Sequence, residues 1–211
     1  MCGKILTDGY LNLLREKAQI SKAPNTSHST HLKQHNNVIR TIFHSYVPLQ
    51  QTWSVASGYK TLVIVQGVTC CGKSTIIKNF LKDISYKAPN KPSVPLLVIN
   101  PKEIHDLLVE TSLFDITNDC LMKDTANISK LLIHIGLDYG TNIIVDGALS
   151  DTVLLDEKFL LYLQLEYGPI YTMILHITAS IETIQHRKMK QRLSYQSISS
   201  FVQVTQYYSI F

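Results

Sequence analysis

From residue 60 onward, short apolar runs alternate with segments long enough to form helices. Four apolar runs are predicted as strands, at 61–66, 96–99, 142–147 and 171–177. The second run is apolar at every position, which is typical of a strand covered on both faces. Strands that alternate with helices predict a parallel sheet with right-handed crossovers, and therefore an α/β fold.

The segments around these runs predict the helices. They are placed at 76–82, 102–109, 154–165, 181–192 and 199–208, and across the apolar series Ile128, Leu131, Leu132 and Ile135, which stops at Gly140. Residues 111–124 are polar and are predicted to be irregular, and Ser180 is a predicted N-cap. We therefore expect three α/β/α layers, with a mostly parallel sheet of about four to five strands and a chain that ends in a helix.

Residues 1–59 are predicted to form a helical extension and linker, ahead of a main domain at 60–211. Apolar positions favour helices at 8–17 and 37–46, and the polar stretch 21–31 is predicted as a loop. This region is expected to pack against the sheet or to bind a partner. Four histidines are irregularly spaced and have no evident cluster of carboxylates or thiols, so we expect surface residues and no metal site at His28, His31, His35 and His44.

Composition narrows the class of protein. The chain has 211 residues and a formal net charge of +4, carried mostly by lysine, which suits an anionic ligand without pointing to nucleic acid. No apolar run approaches the roughly 20 residues of a membrane span, and no signal-peptide core is evident. We therefore expect a cytoplasmic protein with no membrane partner. Its four cysteines are expected to be reduced thiols, with a reactive Cys70 or Cys71 as the alternative.

One stretch carries a specific chemical motif. Residues 67–75 fit G-x-x-x-x-G-K-[ST], between an apolar strand and a helix. Gly67 and Gly72 allow the backbone N–H groups to turn inward around phosphate oxygens. Lys73 adds a positive charge near the β- and γ-phosphates, and the Ser74 hydroxyl is placed to hold Mg²⁺. The predicted nucleotide-binding residues are Gly67, Val68, Thr69, Cys70, Cys71, Gly72, Lys73, Ser74 and Thr75.

Two further elements fall on the same edge of the predicted sheet. Asp146 closes the third apolar run and is expected to hold Mg²⁺ together with Ser74, although an acid before Gly147 also suits a plain turn. Arg187 and Arg192 follow the fourth run. Guanidinium groups stabilise the charge of a moving phosphoryl group, whereas the alternative is a solvated basic helix end.

The loop, LLVIN-PKEIHDLL, GTNIIVDGALSD and LHITASIETIQHRKMKQR occur in an order that resembles a group of P-loop kinases. The group includes polynucleotide 5′-kinase, chloramphenicol phosphotransferase, gluconate kinase and zeta-toxin relatives, and the likeness covers about residues 60–192. It implies a P-loop NTPase fold that uses ATP and Mg²⁺. It also implies that Lys73 and Ser74 contact phosphate and Mg²⁺, that Asp146 is the strand-end acid, and that Arg187 and Arg192 form a lid.

Two features depart from that group. Its second strand is usually followed by an aspartate that acts as base toward the acceptor, and by an arginine three residues later. Here those places hold Lys102 and His105, which leaves Glu103, His105 and Asp106 as candidate bases. The group usually also has a fifth strand after the lid, where a helix is predicted here. Either residues 1–59 fill that place, or adenine is held less well.

The favoured hypothesis is an ATP- and Mg²⁺-dependent kinase acting on an unknown hydroxyl or phosphate acceptor. The acceptor is a small molecule, a nucleotide or a nucleic-acid end. The catalytic candidates are Lys73, Asp146, Arg187, Arg192, Glu103 and His105. The alternatives are an impaired nucleotide-binding module, such as a pseudokinase or interaction protein, and an ATPase. A GTPase is a poor fit because Asn90-Lys91-Pro92-Ser93 lacks the acid of the guanine-reading motif.

Overall fold

A computed structural model describes residues 6–18, 28–46, 60–87, 96–111, 118–147, 157–192 and 203–208. Within these ranges, the helices are α1 (Asp8–Lys17), α2 (His28–Tyr46), α3 (Lys73–Lys87), α4 (Pro101–Thr111), α5 (Asn118–Asp138), α6 (Glu157–Tyr167) and α7 (Ile181–Arg192). The strands are β1 (Lys60–Gln66), β2 (Leu96–Ile99), β3 (Asn142–Asp146), β4 (Ile170–Thr178) and β5 (Gln203–Tyr208).

The described strands form one sheet in the order β2-β3-β1-β4-β5. The first four run parallel, and β5 pairs antiparallel with β4. The α/β class and the predicted parallel sheet are therefore confirmed, with the four apolar runs as its parallel strands.

Three of the predicted elements are wrong. The helix expected at 199–208 is instead strand β5, where valine, threonine and two tyrosines favour a strand and the edge of β4 supplies its backbone partners. The first part of α5 extends through 118–124, which was predicted to be irregular. Helix α2 begins at His28, nine residues before its predicted start, within a stretch predicted as a loop.

Alternate residues of the strands enter two separate apolar clusters. Leu62, Ile64 and Ile143 face a cluster that also holds buried residues of α1, α2, α4, α5 and α6. Val65 and Ile144 face a smaller cluster that holds Ile77 of α3. Side chains along a strand point alternately to opposite faces, so the sheet is covered on both sides and the molecule has three layers.

The N-terminal helices belong to the larger of these clusters. Helix α1 is capped by Thr7, whose hydroxyl oxygen accepts a hydrogen bond from the Tyr10 N–H at 3.2 Å. Leu11 of α1 and Ile39 and Ile42 of α2 are each fully buried in that cluster. The predicted domain boundary at residues 59/60 falls outside the described residues and stays a prediction.

The register of the strands decides which residues meet at the edge of the sheet. Val65 of β1 pairs with Asp146 of β3, and Ile99 of β2 pairs with Val145. The carboxyl ends of β1, β3 and β2 therefore lie side by side, and the chain leaves them at residues 67, 147 and 100. In open parallel sheets this edge is where ligands bind.

Candidate functional site

The loop after β1 has a backbone that side chains would obstruct. Gly67 has φ +145°, and a Cβ placed on it would lie 2.2 Å from the carbonyl oxygen of Ile177. Gly72 has φ +111°, and Cys70, although not a glycine, has φ +69°. These conformations curl the chain between β1 and α3. Such a turn, followed by a helix N-terminus, concentrates backbone N–H groups and partial positive charge in one concave place.

Lys73 lies inside this loop. Its Nζ donates hydrogen bonds to the carbonyl oxygens of Gly67 at 2.7 Å and Val68 at 3.0 Å, and it lies 3.9 Å from the Cys71 Sγ. The residue is only 9% exposed, so its ammonium group is held by loop carbonyls rather than by bulk water. A phosphate oxygen that entered the loop would therefore have to replace these carbonyl contacts.

The two residues after Lys73 keep their side chains exposed. Ser74 and Thr75 lie in the first turn of α3 and face solvent. The Thr75 and Ile76 N–H groups both donate to the Gly72 carbonyl at 3.1 Å, which closes the first turn of the helix. The Ser74 hydroxyl is therefore open to a ligand or a hydrated cation at the mouth of the loop.

Asp146 is positioned by the sheet itself. It is the last residue of β3, is 7% exposed, and pairs across the ladder with Val65, two residues before Gly67. A buried carboxylate is costly unless it is compensated by a nearby positive charge or hydrogen bonds. A cation between Asp146 and the loop would supply that compensation, so the donor chemistry of this position fits a hard cation such as Mg²⁺.

Arg187 comes from α7, which spans the predicted 181–192. Its predicted N-cap is confirmed, because the Thr183 N–H donates to the Ser180 hydroxyl oxygen at 3.2 Å. The Arg187 Nη1 donates to the Cys70 carbonyl oxygen at 2.9 Å and would lie 2.9 Å from a Cβ on Gly72. The guanidinium group therefore rests on the loop. Arg192 ends α7, and its side chain lies outside the described part of the chain.

The candidate bases all lie in α4, which begins just after β2 with Asn100 as its cap; the Lys102 N–H donates to the Asn100 Oδ1 at 2.9 Å. Asp106 forms an ion pair with Lys102, and its carboxylate lies 3.5 Å from the His105 Nδ1. The Lys102 hydrogen bond lowers the pKa of Asp106. Asp106 and His105 therefore lie in a surface cluster of charges, whereas Glu103 lies in the first turn of α4, beside the strand ends.

Tyr46 was not singled out from the sequence. It is the last residue of α2, is partly buried, and packs against both apolar clusters. Burial, together with the negative charges of Glu103 and Asp146, raises the pKa of its hydroxyl. Tyr46, Glu103 and Asp146 therefore share one region at the edge of the sheet. No motif marks Tyr46, and only the packing of α2 brings it there.

The cysteines of the loop differ in exposure. Cys71 is fully buried in the smaller apolar cluster, whereas Cys70 is partly exposed. The expectation of reduced thiols holds for Cys70, Cys71 and Cys120, which are all free; Cys2 lies outside the described residues. If either loop cysteine reacts, access favours Cys70.

The prediction that the histidines are all surface residues without a carboxylate is wrong at two positions. His35 is 8% exposed, and His31 and His35 both approach Asp124 of α5, at 3.1 and 3.4 Å. Asp124 could not be placed from the sequence, because 111–124 was predicted to be irregular. His44 is exposed as predicted, and the side chain of His28 lies outside the described part.

Comparisons with known proteins give no family assignment: no protein-family model matches the chain, and no curated protein matches it. Among the described helices, none combines the length and apolar character that crossing a membrane requires. Function must therefore be argued from the site.

Proposed function

We propose that the chain is an ATP- and Mg²⁺-dependent phosphotransferase with a P-loop NTPase fold. One observation supports this most strongly. Three charged side chains from separate elements, Lys73, Asp146 and Arg187, meet around the glycine-containing turn 67–75. A loop that binds phosphate passively has no need of a strand-end acid and a distant arginine in addition to its lysine. Phosphoryl transfer uses all three.

Each group has a role that its position allows. The loop amides and Lys73 hold the β- and γ-phosphates once Lys73 leaves the Gly67 and Val68 carbonyls. Ser74 and Asp146 hold Mg²⁺, which supplies charge neutralisation when bound. Arg187, already resting on the loop, stabilises the negative charge of the transferring group. Arg192 is proposed as a second lid residue from its place in the sequence alone.

Glu103 is the favoured base for the acceptor. Its charge and that of Asp146 act on the same Tyr46 hydroxyl, whereas Asp106 is paired with Lys102. In the proposed reaction, Glu103 takes the acceptor proton as the acceptor oxygen forms a bond to the γ-phosphorus. The bond from that phosphorus to the leaving ADP breaks in the same step. Tyr46 is expected to hydrogen-bond the acceptor or Glu103.

The first test separates binding from chemistry at the loop. Lys73→Ala should abolish ATP turnover and weaken Mg-ATP binding measured by calorimetry, while circular dichroism stays unchanged. The matched control is Lys78→Ala, which removes an exposed lysine further along α3 and should leave both measurements unchanged. Turnover that persists in Lys73→Ala would refute the assignment.

The second test concerns the base. Glu103→Gln should retain Mg-ATP affinity and lose transfer by about 10²–10⁴-fold, the usual contribution of a general base. Asp106→Asn in the same helix is the control and should retain transfer. Acceptors are screened as labelled products, including a 5′-hydroxyl oligonucleotide, small alcohols and nucleoside monophosphates. If Asp106→Asn lost transfer and Glu103→Gln kept it, the roles would be reversed.

A nucleotide-binding module without transferase activity is the second candidate. The observation that favours it is Lys102, which stands where the kinases resembling this chain have their base and which forms an ion pair with Asp106. The supposed lack of a fifth strand no longer supports it, because β5 is present. Tight Mg-ATP binding with no transfer to any acceptor and no hydrolysis would favour this module.

A further inference from the structure

The described part of the chain contains one group of histidine, cysteine, aspartate or glutamate side chains close enough to share a metal ion, namely His31, His35 and Asp124. Their ligand atoms all lie within 4.8 Å of one another. The group lies between α2 and α5 and involves none of the residues assigned to the phosphate loop. We propose that it is a zinc site that fastens α2 to α5.

Helix geometry brings the two imidazoles together. His31 and His35 are four residues apart in α2, so they lie on one face of the helix, and their ring centroids are 4.3 Å apart. This i, i+4 spacing is the one by which a single helix presents two histidines to one zinc ion. Asp124 supplies the third ligand from the facing helix α5.

The distances suit a single ion. Zinc bonds of about 2.0–2.2 Å at tetrahedral angles place neighbouring ligand atoms about 3.3–3.6 Å apart. The Nε2 atoms of His31 and His35 lie 3.1 and 3.4 Å from the same Asp124 oxygen, Oδ2. Small rotations of the side chains would therefore bring all three atoms to zinc–ligand distance.

One atom of the group is unsatisfied by protein contacts. The buried His35 Nε2 lies 3.4 Å from the Asp124 Oδ2, but it makes no hydrogen bond within the described residues, because its orientation is unsuitable. Leaving a buried polar atom unpaired typically costs about 1–3 kcal/mol. A metal ion between the rings and the carboxylate would use that nitrogen directly.

The site also has an entrance and room for a fourth ligand. The His31 side chain is 29% exposed, whereas those of His35 and Asp124 are 10% and 12% exposed. Water can therefore complete the coordination from the His31 side, as in zinc sites with three protein ligands. Two imidazoles and one carboxylate suit zinc better than Mg²⁺, which prefers oxygen ligands.

The test uses the full-length chain without an affinity tag, stripped of metal and titrated with Zn²⁺ by calorimetry. Wild type should bind one ion, and its thermal midpoint should rise with zinc. His31→Gln and Asp124→Asn should each weaken binding by more than the roughly 10–100-fold caused by loss of an outer-shell partner. His44→Gln is the matched control on α2, being exposed, and should bind as wild type does.

Cobalt identifies the ligands in wild type, independently of whether any variant folds. Co²⁺ should give tetrahedral d–d absorption without a sulfur-to-metal charge-transfer band, and Cys120→Ser should leave the spectrum unchanged. The spectrum should also survive excess Mg-ATP and the Lys73→Ala change, so failure of the proposed kinase function would leave this result standing. Absence of stoichiometric binding, a thiolate band, or equal affinity in His31→Gln would overturn the proposal.

Discussion

His134 of α5 makes the stability of this fold depend on pH in a calculable way. The side chain is 1% exposed, and its rings of contact are Phe159, Tyr162 and Tyr167 at centroid distances of 5.9, 5.8 and 5.6 Å. Its Nδ1 shares a hydrogen bond of 2.9 Å with the Tyr167 hydroxyl. Burial lowers the pKa of His134 from its ordinary value of 6.5 to about 4.

The sign follows from which state binds the proton more readily. The folded pKa lies below the unfolded one, so between these values the unfolded chain takes up the proton and acid favours unfolding. The stabilisation is complete above about pH 6.5 and is lost as the pH falls toward 4. For these two pKa values the loss is roughly 2 kcal/mol from pH 7 to pH 5 and about 3 kcal/mol by pH 4.

The assay is urea unfolding of wild type and His134→Leu at several pH values between 7 and 4. Other acid-sensitive groups contribute equally to both proteins, so the difference between the two curves isolates His134. The curves should converge by roughly 2 kcal/mol on going from pH 7 to pH 5. His176→Leu, at an exposed position of β4, is the matched control and should follow wild type. Parallel curves for wild type and His134→Leu would refute the reasoning.

Two backbone and core substitutions give further tests. Gly67→Ala should lower stability and abolish Mg-ATP binding, because its Cβ would strike the rigid β4 carbonyl; Gly168→Ala, also at positive φ but in open space, should cost only about 1–2 kcal/mol of strain and retain binding. Asn36→Ala should destabilise by about 2–3 kcal/mol in urea unfolding, because it leaves the buried Arg15 without its 2.5 Å acceptor, whereas the exposed Asn37→Ala should stay within about 0.5 kcal/mol. Equal effects within either pair would contradict the assignment.

Local sequence patterns predicted the parts of the molecule that local physics decides. The apolar run of β2, the glycine-containing loop and the capped helix α7 each follow from residues close together in the chain. Asp146 could be placed beside the loop because parallel strands end at a common edge. The contact between Arg187 and the loop agrees with the position expected for a lid residue.

The remaining features depend on partners that are distant in sequence. Strand β5 needs the free edge of β4, and nothing within 203–208 reveals that edge. Tyr46 reaches the site through the packing of α2, and Asp124 lies 89 residues from His35 in the chain. Periodicity within a short window reports one element's buried face but not which element will cover it, so these meetings could not be predicted.

The burial of α1 and α2 bears on how the protein can be cut and produced. A fragment beginning at Lys60 would keep the whole phosphate loop, yet it would lose Leu11, Ile39 and Ile42, which cover one face of the sheet. An uncovered apolar face of that kind promotes aggregation. The first 46 residues, which read as an appendage in the linear sequence, are therefore needed in any fragment intended for crystallisation or activity measurements.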